Sequence, residues 1–252
     1  PPLECRTLVM SVRAVMILAA YCVGSYLVGS VPFGYVLGRL RGVDIRRHGS
    51  RNIGATNCWR VCGWRFGLPA FALDVAKGFA AARVAATALV GLSAFQGWSE
   101  PARHLVTVLA GAAAIAGHVF PVYLGFRGGK AVATSLGVFL GIPSMALLAG
   151  GAFALWAVVF VATRYVSVAS TAAALGMLAA VLTLEPKGFG FDPSGAWAVR
   201  WPLTAFTIVL AALVLYRHRD NYRRLLAGTE HRFGMRKGPV AGASSRPGRS
   251  EG

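Results

Sequence analysis

The chain is poor in charged residues, and acidic residues are the rarest of these. Only 14% of its 252 residues are charged, while 56% are hydrophobic and the mean hydropathy is +0.57. A soluble domain is typically about 25% charged, so this composition excludes an ordinary soluble globule and, except locally, intrinsic disorder. The apolar stretches are long and continuous, which excludes the short alternating strands of an outer-membrane barrel. The sequence therefore predicts an all-α integral membrane protein.

Cysteine is also scarce, with four residues in the chain. Cys58 and Cys62 lack the second Cys or His pair that a zinc site needs nearby. We therefore expect packed single thiols and no metal.

The shortage of acidic residues leaves 9 Asp and Glu against 26 Lys and Arg, a formal net charge of +17. In a soluble protein this balance would suggest nucleic acid. Here the basic residues lie between apolar stretches, so membrane topology and the binding of anionic lipid or phosphate explain them better. We expect no nucleic-acid partner.

Seven apolar stretches approach or exceed the roughly 20 residues that a transmembrane helix needs. The first is too long for the apolar part of a signal peptide and is predicted to be a retained span. The fourth is short, and Pro143 is well placed to begin the fifth. The predicted spans are 14–38, 66–95, 104–124, 130–142, 143–163, 166–184 and 201–216.

The basic residues are distributed unevenly between the two sides of this seven-helix arrangement. One side carries 19 Lys and Arg and the other carries 5. Because cytoplasmic loops are enriched in Lys and Arg, the N-terminus is predicted outside and the C-terminus in the cytoplasm. Residues 1–234 would form the membrane domain, and residues 235–252, rich in Gly, Ser, Pro and Arg, a disordered basic cytoplasmic tail.

Polar residues cluster on the predicted cytoplasmic side. Residues 29–34 read Gly-Ser-Val-Pro-Phe-Gly, and residues 44–57 combine glycines, serine and two asparagines with several arginines. Small residues and Asn at this density let a backbone approach a ligand closely. An ordinary polar loop with turn residues remains an alternative.

A second block, residues 126–134, contains Gly128, Gly129 and Lys130 at the start of a helix. Free backbone N–H groups, the helix dipole and the lysine charge together favour an anion such as phosphate. The block is not a Walker A loop, because Leu124 stands where the first glycine belongs and Ala131 where Ser or Thr is needed. A helix start with a lysine that reaches to the membrane surface is the alternative.

A third block follows the last span. His218 and Asn221 are three residues apart and would share a helix face, whereas basic residues at such a place, including Arg217, usually anchor the topology. Asp74 and Lys77, also three apart, lie within the second span. We expect them to pair with each other, because unpaired charges there are costly; a role in the wall of the site is the lesser alternative.

These blocks, in this order, resemble the bacterial acyl-phosphate:glycerol-3-phosphate acyltransferases (the PlsY family) over roughly residues 16–234. The resemblance rests on Gly-Ser-Val-Pro-Phe-Gly, Gly-Ser-x-Asn-Ile-Gly-Ala-Thr-Asn, Leu-Asp-Val-Ala-Lys-Gly, His-x-Phe-Pro with Phe-Arg-Gly-Gly-Lys, and Tyr-Arg-His-Arg-Asp-Asn with Gly-Thr-Glu-His-Arg-Phe. Two positions depart from the family pattern, since Arg51 and Ala131 stand where the family commonly has glycine.

The resemblance implies a seven-helix enzyme of the bacterial inner membrane with its active site at the cytoplasmic face. It would transfer a fatty acyl group from acyl phosphate to the sn-1 hydroxyl of glycerol 3-phosphate, the first committed step of phospholipid synthesis, without a cofactor. It is also compatible with coupling to the enzyme that makes acyl phosphate. The implied catalytic residues are His218, Asn221, Lys130 and Ser50, and the implied substrate-binding residues are Arg60, Asn52, Ser170, Gly128, Gly129 and Lys130.

Two alternatives remain at this point. A multi-span transporter of an organic phosphate would also carry basic loops, although its polar groups are expected near the midplane of the membrane. Within the acyltransferase hypothesis, His218 could take the proton from the acceptor hydroxyl, or a substrate phosphate oxygen could take it while His218 only orients the acceptor. The sequence slightly favours the second mechanism, because no carboxylate lies at a spacing that would orient His218 as a base.

Overall fold

The computed structural model describes residues 3–184 and 196–234, and the regular structure in these ranges is helical. The predicted tail 235–252 and the loop around Lys187 lie outside the described residues. Within them the α-helices are α1 Leu3–Ser30, α2 Phe33–Leu40, α3 Ala55–Cys62, α4 Trp64–Val84, α5 Glu100–Val119, α6 Val132–Gly141, α7 Ala146–Thr163, α8 Val166–Leu184, α9 Ala196–Arg217 and α10 Arg219–Leu226. Short 3₁₀ turns occur at Ile45–Arg47, Ser93–Phe95, Val122–Leu124 and Pro143–Met145, and a π-helical turn, Ala85–Leu89, follows α4.

Several of these helices are long and apolar enough to cross a membrane. Four segments qualify in the described residues, and the bent pair α9–α10, with 47° between its helices, makes a fifth. The predicted spans 143–163 and 166–184 coincide with α7 and α8. The four qualifying segments are Val12–Leu40, Glu100–Leu124, Pro143–Thr163 and Val166–Thr183. The prediction of a helical membrane protein is therefore confirmed.

The helices at the second and fourth predicted spans are not long and apolar enough to be counted as membrane-spanning. Helix α4 carries four charged residues, Arg65, Asp74, Lys77 and Arg83. Helix α6 has ten residues, about 15 Å of rise, which is half of the roughly 30 Å hydrocarbon core. It begins at Val132, so Lys130 lies in the loop before it. The count of seven spans therefore stays a prediction.

The first predicted span is broken near its C-terminal end. Helix α1 ends at Ser30 and α2 begins at Phe33, because Pro32 between them cannot donate a backbone hydrogen bond. Just before this break α1 crosses α5 at backbone contact distance. A Cβ atom at Gly29 would lie 2.2 Å from the carbonyl oxygen of Ala114, so only glycine permits this crossing.

Helix α6 is held against α4 in the same way. A Cβ at Gly78 would lie 2.2 Å from the Thr134 oxygen, and one at Gly137 would lie 2.0 Å from the Val75 oxygen. The far end of α6 enters the main apolar core, where Phe139 contacts Phe206 of α9 at a ring separation of 5.7 Å. This packing of α6 against α4 and α9 fixes the position of the loop that precedes α6.

Candidate functional site

A cavity of about 1110 Å³ lies between the loop that precedes α3, the loop that precedes α6, and helices α7 to α10. Eight of the nine site residues named above line it: Ser50, Asn52, Arg60, Gly128, Lys130, Ser170, His218 and Asn221. They come from four distant parts of the chain. The structure thus brings nearly all of the predicted residues to one cavity.

The loop that carries Ser50 and Asn52 is organised by Asn57, which is 1% exposed. The Asn57 amide donates to the carbonyl oxygens of Ile45 (2.8 Å), His48 (3.2 Å) and Asn52 (2.9 Å), and its oxygen accepts from the Ser50 N–H at 2.9 Å. Asn57 was not among the site residues predicted from the sequence. The density of Asn and Gly in the block was the available signal, because such loops need a polar side chain to satisfy their backbone groups.

Near the start of this loop, Asp44 caps the turn Ile45–Arg47 by accepting from the Arg46 N–H at 3.0 Å. Its carboxylate also pairs with the Arg46 guanidinium at 2.7 Å. Hydrogen bonds from Arg46 hold the pKa of the Asp44 carboxyl well below its usual range. Arg46 and Arg60 both line the cavity, but Arg46 is already paired with Asp44. Burial lowers the pKa of Arg60 from the ordinary arginine value.

The two departures from the family pattern share one backbone conformation. Arg51 and Ala131 both have φ of 59°, in the left-handed region. Glycine adopts this region without a steric penalty, while other residues pay about 1–2 kcal/mol. The conformation explains why glycine would be favoured at both positions, although Arg51 and Ala131 adopt it here.

Lys130 lies at the centre of a polar network. Its ammonium group donates to the Asn221 side-chain oxygen, and the Asn221 amide donates to the Glu230 carboxylate at 2.6 Å. Glu230, whose side chain is 7% exposed, also pairs with Arg224 at 2.8 Å. Burial lowers the pKa of Lys130, in the loop before α6, to about 8, although Glu230 acts in the opposite direction. Glu230 was not among the predicted site residues, although the Gly-Thr-Glu-His motif contains it.

The loop before α6 is held by an arginine from the other end of the chain. Arg217 donates to the carbonyl oxygens of Gly128 at 3.1 Å and Gly129 at 2.7 Å. The interpretation of Arg217 as a topology anchor is therefore incomplete, because its side chain shapes the Lys130 loop.

Gly129 is the predicted residue that does not line the cavity. It is buried, and its N–H donates to the carbonyl oxygen of His118 at 3.0 Å. The expectation that this N–H would face a phosphate is wrong, because the backbone of α5 already accepts it. The substrate-binding role that the resemblance implies for Gly129 stays a prediction.

His218 lies between α9 and α10 and is 2% exposed. Its Nδ1 is 2.8 Å from the carbonyl oxygen of Val214. A carbonyl oxygen can only accept, so Nδ1 carries the proton, and Nε2 of the neutral ring keeps a lone pair. Burial, helped by the nearby charge of Lys130, lowers the pKa of His218 to about 4. The ring is therefore neutral at pH 7 and can accept a hydrogen bond.

The opposite wall of the cavity is aromatic. Phe153, Trp156 and Phe160 stack along α7 with ring separations of 6.0 and 4.9 Å, and Phe233 meets Phe160 edge to face at 5.3 Å. The Trp156 indole N–H donates to the Ser170 hydroxyl at 3.2 Å. This wall gives the cavity an apolar side next to its polar end.

The charges around the cavity strongly favour an anion. Eight cationic side chains line it against three acidic ones, Asp74, Asp220 and Glu230. In the part of the chain that the structure describes, no group of three or more His, Cys, Asp and Glu side chains could hold a metal ion. The arrangement therefore suits a ligand with one or more phosphates and an apolar tail.

Comparisons with known proteins agree on one family. A family model described as glycerol-3-phosphate acyltransferase matches residues 19–228. Proteins of that name from Desulforudis audaxviator and Aquifex aeolicus are 42% and 40% identical to the chain over 229 and 210 residues. The alignments cover 90% and 83% of this chain and 100% and 95% of the relatives.

Solved structures give the same result. The chain resembles the crystal structure of PlsY (YgiH), an integral membrane glycerol 3-phosphate acyltransferase, in its glycerol 3-phosphate form. The TM-score is 0.71 at 36% identity, covering 86% of this chain and 96% of that one. The lysophosphatidic acid form of PlsY matches with a TM-score of 0.70 at 35% identity.

Proposed function

Because the chain belongs to the glycerol-3-phosphate acyltransferase family and is an acyltransferase, we propose that it transfers a fatty acyl group from acyl phosphate to the sn-1 hydroxyl of glycerol 3-phosphate. The new ester bond forms between that hydroxyl oxygen and the acyl carbon, and the bond from the acyl carbon to the phosphate oxygen breaks. The products are 1-acyl-glycerol 3-phosphate and inorganic phosphate, which leaves with the hydroxyl proton.

One observation carries this proposal: Lys130, Asn221 and His218 line one cavity that is cationic at one end and aromatic along one wall. Acyl phosphate combines an anionic head with an apolar tail, and glycerol 3-phosphate adds a second anion. Lys130 and Arg60 would hold the phosphates and screen their repulsion. Ser50, Asn52, Ser170, His218 and Asn221 would orient the acceptor.

The chemistry needs little beyond positioning. Acyl phosphate is a mixed anhydride with a good leaving group, so bringing the acceptor hydroxyl close to the acyl carbon in a screened site supplies much of the rate. The neutral His218 would accept a hydrogen bond from the hydroxyl through Nε2. A group with a pKa of about 4 is a poor base at neutral pH, which supports proton transfer to a phosphate oxygen of the substrate.

The proposed setting is the bacterial inner membrane, with seven spans and the cavity at the cytoplasmic face. The charge distribution of 19 against 5 supports this orientation. In this arrangement α4 would span the membrane, because its charged residues Asp74 and Lys77 neutralise each other. The short α6 would enter the membrane from the side of the Lys130 loop. A reporter fused after Gly252 should be cytoplasmic and one at Lys187 external. A cytoplasmic signal at Lys187 would contradict the seven-span topology.

The test of the reaction is an assay of purified protein in detergent with labelled glycerol 3-phosphate. Acyl phosphate should give labelled 1-acyl-glycerol 3-phosphate, and acyl-CoA should support little or no turnover. Equal rates with both donors would place the protein in a different class of acyltransferase. A transporter would give no product in detergent, because transport needs two compartments, so the same assay also tests that alternative.

A further inference from the structure

A second group of polar side chains lies buried beside the Lys130 loop. Asp74, Lys77, His118 and Thr134 are each at most 5% exposed. The Lys77 ammonium is 2.8 Å from the Asp74 carboxylate and donates to the Val31 carbonyl, at the break between α1 and α2, at 2.8 Å. The proposed reaction assigns no role to any of these groups, yet burying charges in apolar surroundings is costly.

His118 connects this group to the loop. Its carbonyl oxygen accepts from the Gly129 N–H at 3.0 Å, and its ring fills the space beside the Gly129 Cα. A Cβ atom at position 129 would lie 2.2 Å from Nε2 of His118, and its three nearest neighbours would all be atoms of this ring. A Cβ at Gly128 would lie 2.2 Å from the His118 oxygen. Both glycines therefore allow the loop to rest directly on His118.

The ring itself is held from two other helices. His118 Nδ1 is 3.2 Å from the Thr134 hydroxyl of α6 and 3.5 Å from the Asp74 carboxylate of α4. Helix α5 supplies the backbone of His118, so three helices determine where the ring stands. Any movement of the ring would be transmitted to Gly129, whose neighbour in the chain is Lys130.

We propose that His118 is a positioning residue that sets the place of Lys130 in the cavity, with Asp74 and Thr134 fixing its ring. The loop rests on the ring, Arg217 holds the loop carbonyls from the other side, and the Lys130 side chain extends toward Asn221. The proposal rests on the proposed function where its readout is acyl transfer.

The test uses the contact between Gly129 and the His118 ring. The φ angle of Gly129 lies outside the left-handed region, so alanine is allowed there and only its methyl group is in conflict with the ring. Gly129→Ala should lower kcat/KM at least about tenfold, mainly through KM, because small displacements of binding groups are costly. His118→Ala should also lower it. The double variant Gly129→Ala/His118→Ala should be more active than Gly129→Ala, because the methyl group then has room.

The conservative variant and the controls separate positioning from general damage. His118→Asn keeps a polar group near Thr134 and should retain more activity than His118→Ala. His104→Ala, on the same helix, and Gly150→Ala, where a Cβ atom would meet nothing within 4 Å, should behave like the wild type. A double variant no better than Gly129→Ala, or equal losses in His118→Asn and His118→Ala, would overturn the proposal.

A binding measurement keeps this test separate from the reaction. Thermal stabilisation of the same variants by inorganic phosphate and by glycerol 3-phosphate should fall in Gly129→Ala and recover in the double variant. If the wild type transfers no acyl group, the proposed function fails while this binding pattern still supports the role of His118. If the double variant binds no better than Gly129→Ala, the role of His118 fails whatever the reaction.

Discussion

Two buried ionic clusters lie close to each other, and they differ in how they are completed. In the cluster of Asp74, Lys77 and His118, the protein supplies both signs of charge and each group faces another. In the cluster of Lys130, Asn221, Glu230 and Arg224, two cations share one carboxylate and the groups line an open cavity. Asp74 and His118 also border this cavity, so the clusters differ in charge balance. The first, called the closed cluster, is neutralised within the protein and stabilises the fold. The second, called the open cluster, keeps an excess positive charge that fits the proposed anionic substrates.

The largest effect is expected when one charge is removed from the closed cluster. Asp74→Asn leaves the Lys77 ammonium buried without a counter-charge, and breaking such a pair costs about 3–5 kcal/mol. We expect a large drop in thermal stability in detergent. The variant Asp74→Asn/Lys77→Met removes both charges and should recover much of the loss. No recovery in the double variant would show that Asp74 acts through something other than this pair.

The open cluster should respond in the opposite way. Lys130→Met removes a charge-assisted contact to substrate, worth about 1.5–3 kcal/mol, so kcat/KM should fall roughly 10- to 100-fold while thermal stability without substrate changes little. Arg60→Ala should lose at least about tenfold for the same reason. Arg65→Met, an exposed cation outside the cavity, is the control and should keep its activity. A stability loss in Lys130→Met as large as in Asp74→Asn would remove the distinction.

His218 lines the same cavity as the open cluster, and its variants discriminate between the two proton-transfer mechanisms. If it only orients the acceptor, His218→Gln should keep measurable activity, because glutamine still offers hydrogen-bonding groups, and His218→Ala should lose most of it. A general base typically contributes about 10²–10⁴ in rate. An inactive His218→Gln protein that is folded and still binds glycerol 3-phosphate would restore His218 as the base.

The charge state of His218 can be followed directly by NMR as the pH is varied. With its pKa lowered to about 4 from about 6.5 in an unfolded chain, the ring stays neutral at pH 7 and is protonated only as the pH falls through 4. The stability contribution of the neutral ring is therefore present above pH 6.5 and is lost between pH 6.5 and 4. NMR of labelled histidines, with His218→Gln to assign the signal, should give a midpoint near 4. A midpoint near 6.5 would contradict the buried, neutral ring.

The smallest expected effect concerns the backbone of the loop that connects the two clusters. Ala131→Gly relieves about 1–2 kcal/mol of left-handed strain but adds about 0.5–1 kcal/mol of unfolded-chain entropy. The change also removes a buried methyl group, since Ala131 is 2% exposed, at a cost of about 0.8 kcal/mol. We therefore expect these effects nearly to cancel, with a change in stability below about 1 kcal/mol, measured by thermal unfolding. Ala133→Gly, within α6, is the matched control and should be destabilising. Equal losses at both positions would show that residue 131 is not strained.

Sequence reasoning found the features that depend on local pattern. The spans that became α7 and α8 have no internal charge or break, and their bounds were predicted within a few residues. The break at Pro32 was missed because the span was predicted from the average hydrophobicity of a stretch of residues. That average does not change when one residue lacks a backbone N–H. The Asp74–Lys77 pair was expected from its helical spacing and is confirmed, and membership of the acyltransferase family is confirmed by the comparisons.

The features that sequence reasoning missed depend on distant contacts. The resemblance places Lys130 and Asn221 in one active site, but neither block indicates their direct contact across 91 residues. His118 was noted as part of a motif, but its contact with Gly129 arises from the packing of α5 against the loop. Glu230 belongs to a motif that served only to identify the family, and its contacts with Asn221 and Arg224 appear only in the folded structure. The roles of the cavity residues in the reaction stay predictions.

The hydrogen bonds from Arg217 to the carbonyl oxygens of Gly128 and Gly129 have a consequence for biosynthesis. Arg217 follows Gly129 by 88 residues, and ribosomes add roughly 5–20 residues per second, so the loop leaves the ribosome about 4–18 s before the side chain that holds it. During that interval the carbonyl oxygens of this loop lack the side chain that holds them. A chain truncated before α9 would also lack His218 and Asn221, so it could not complete the cavity.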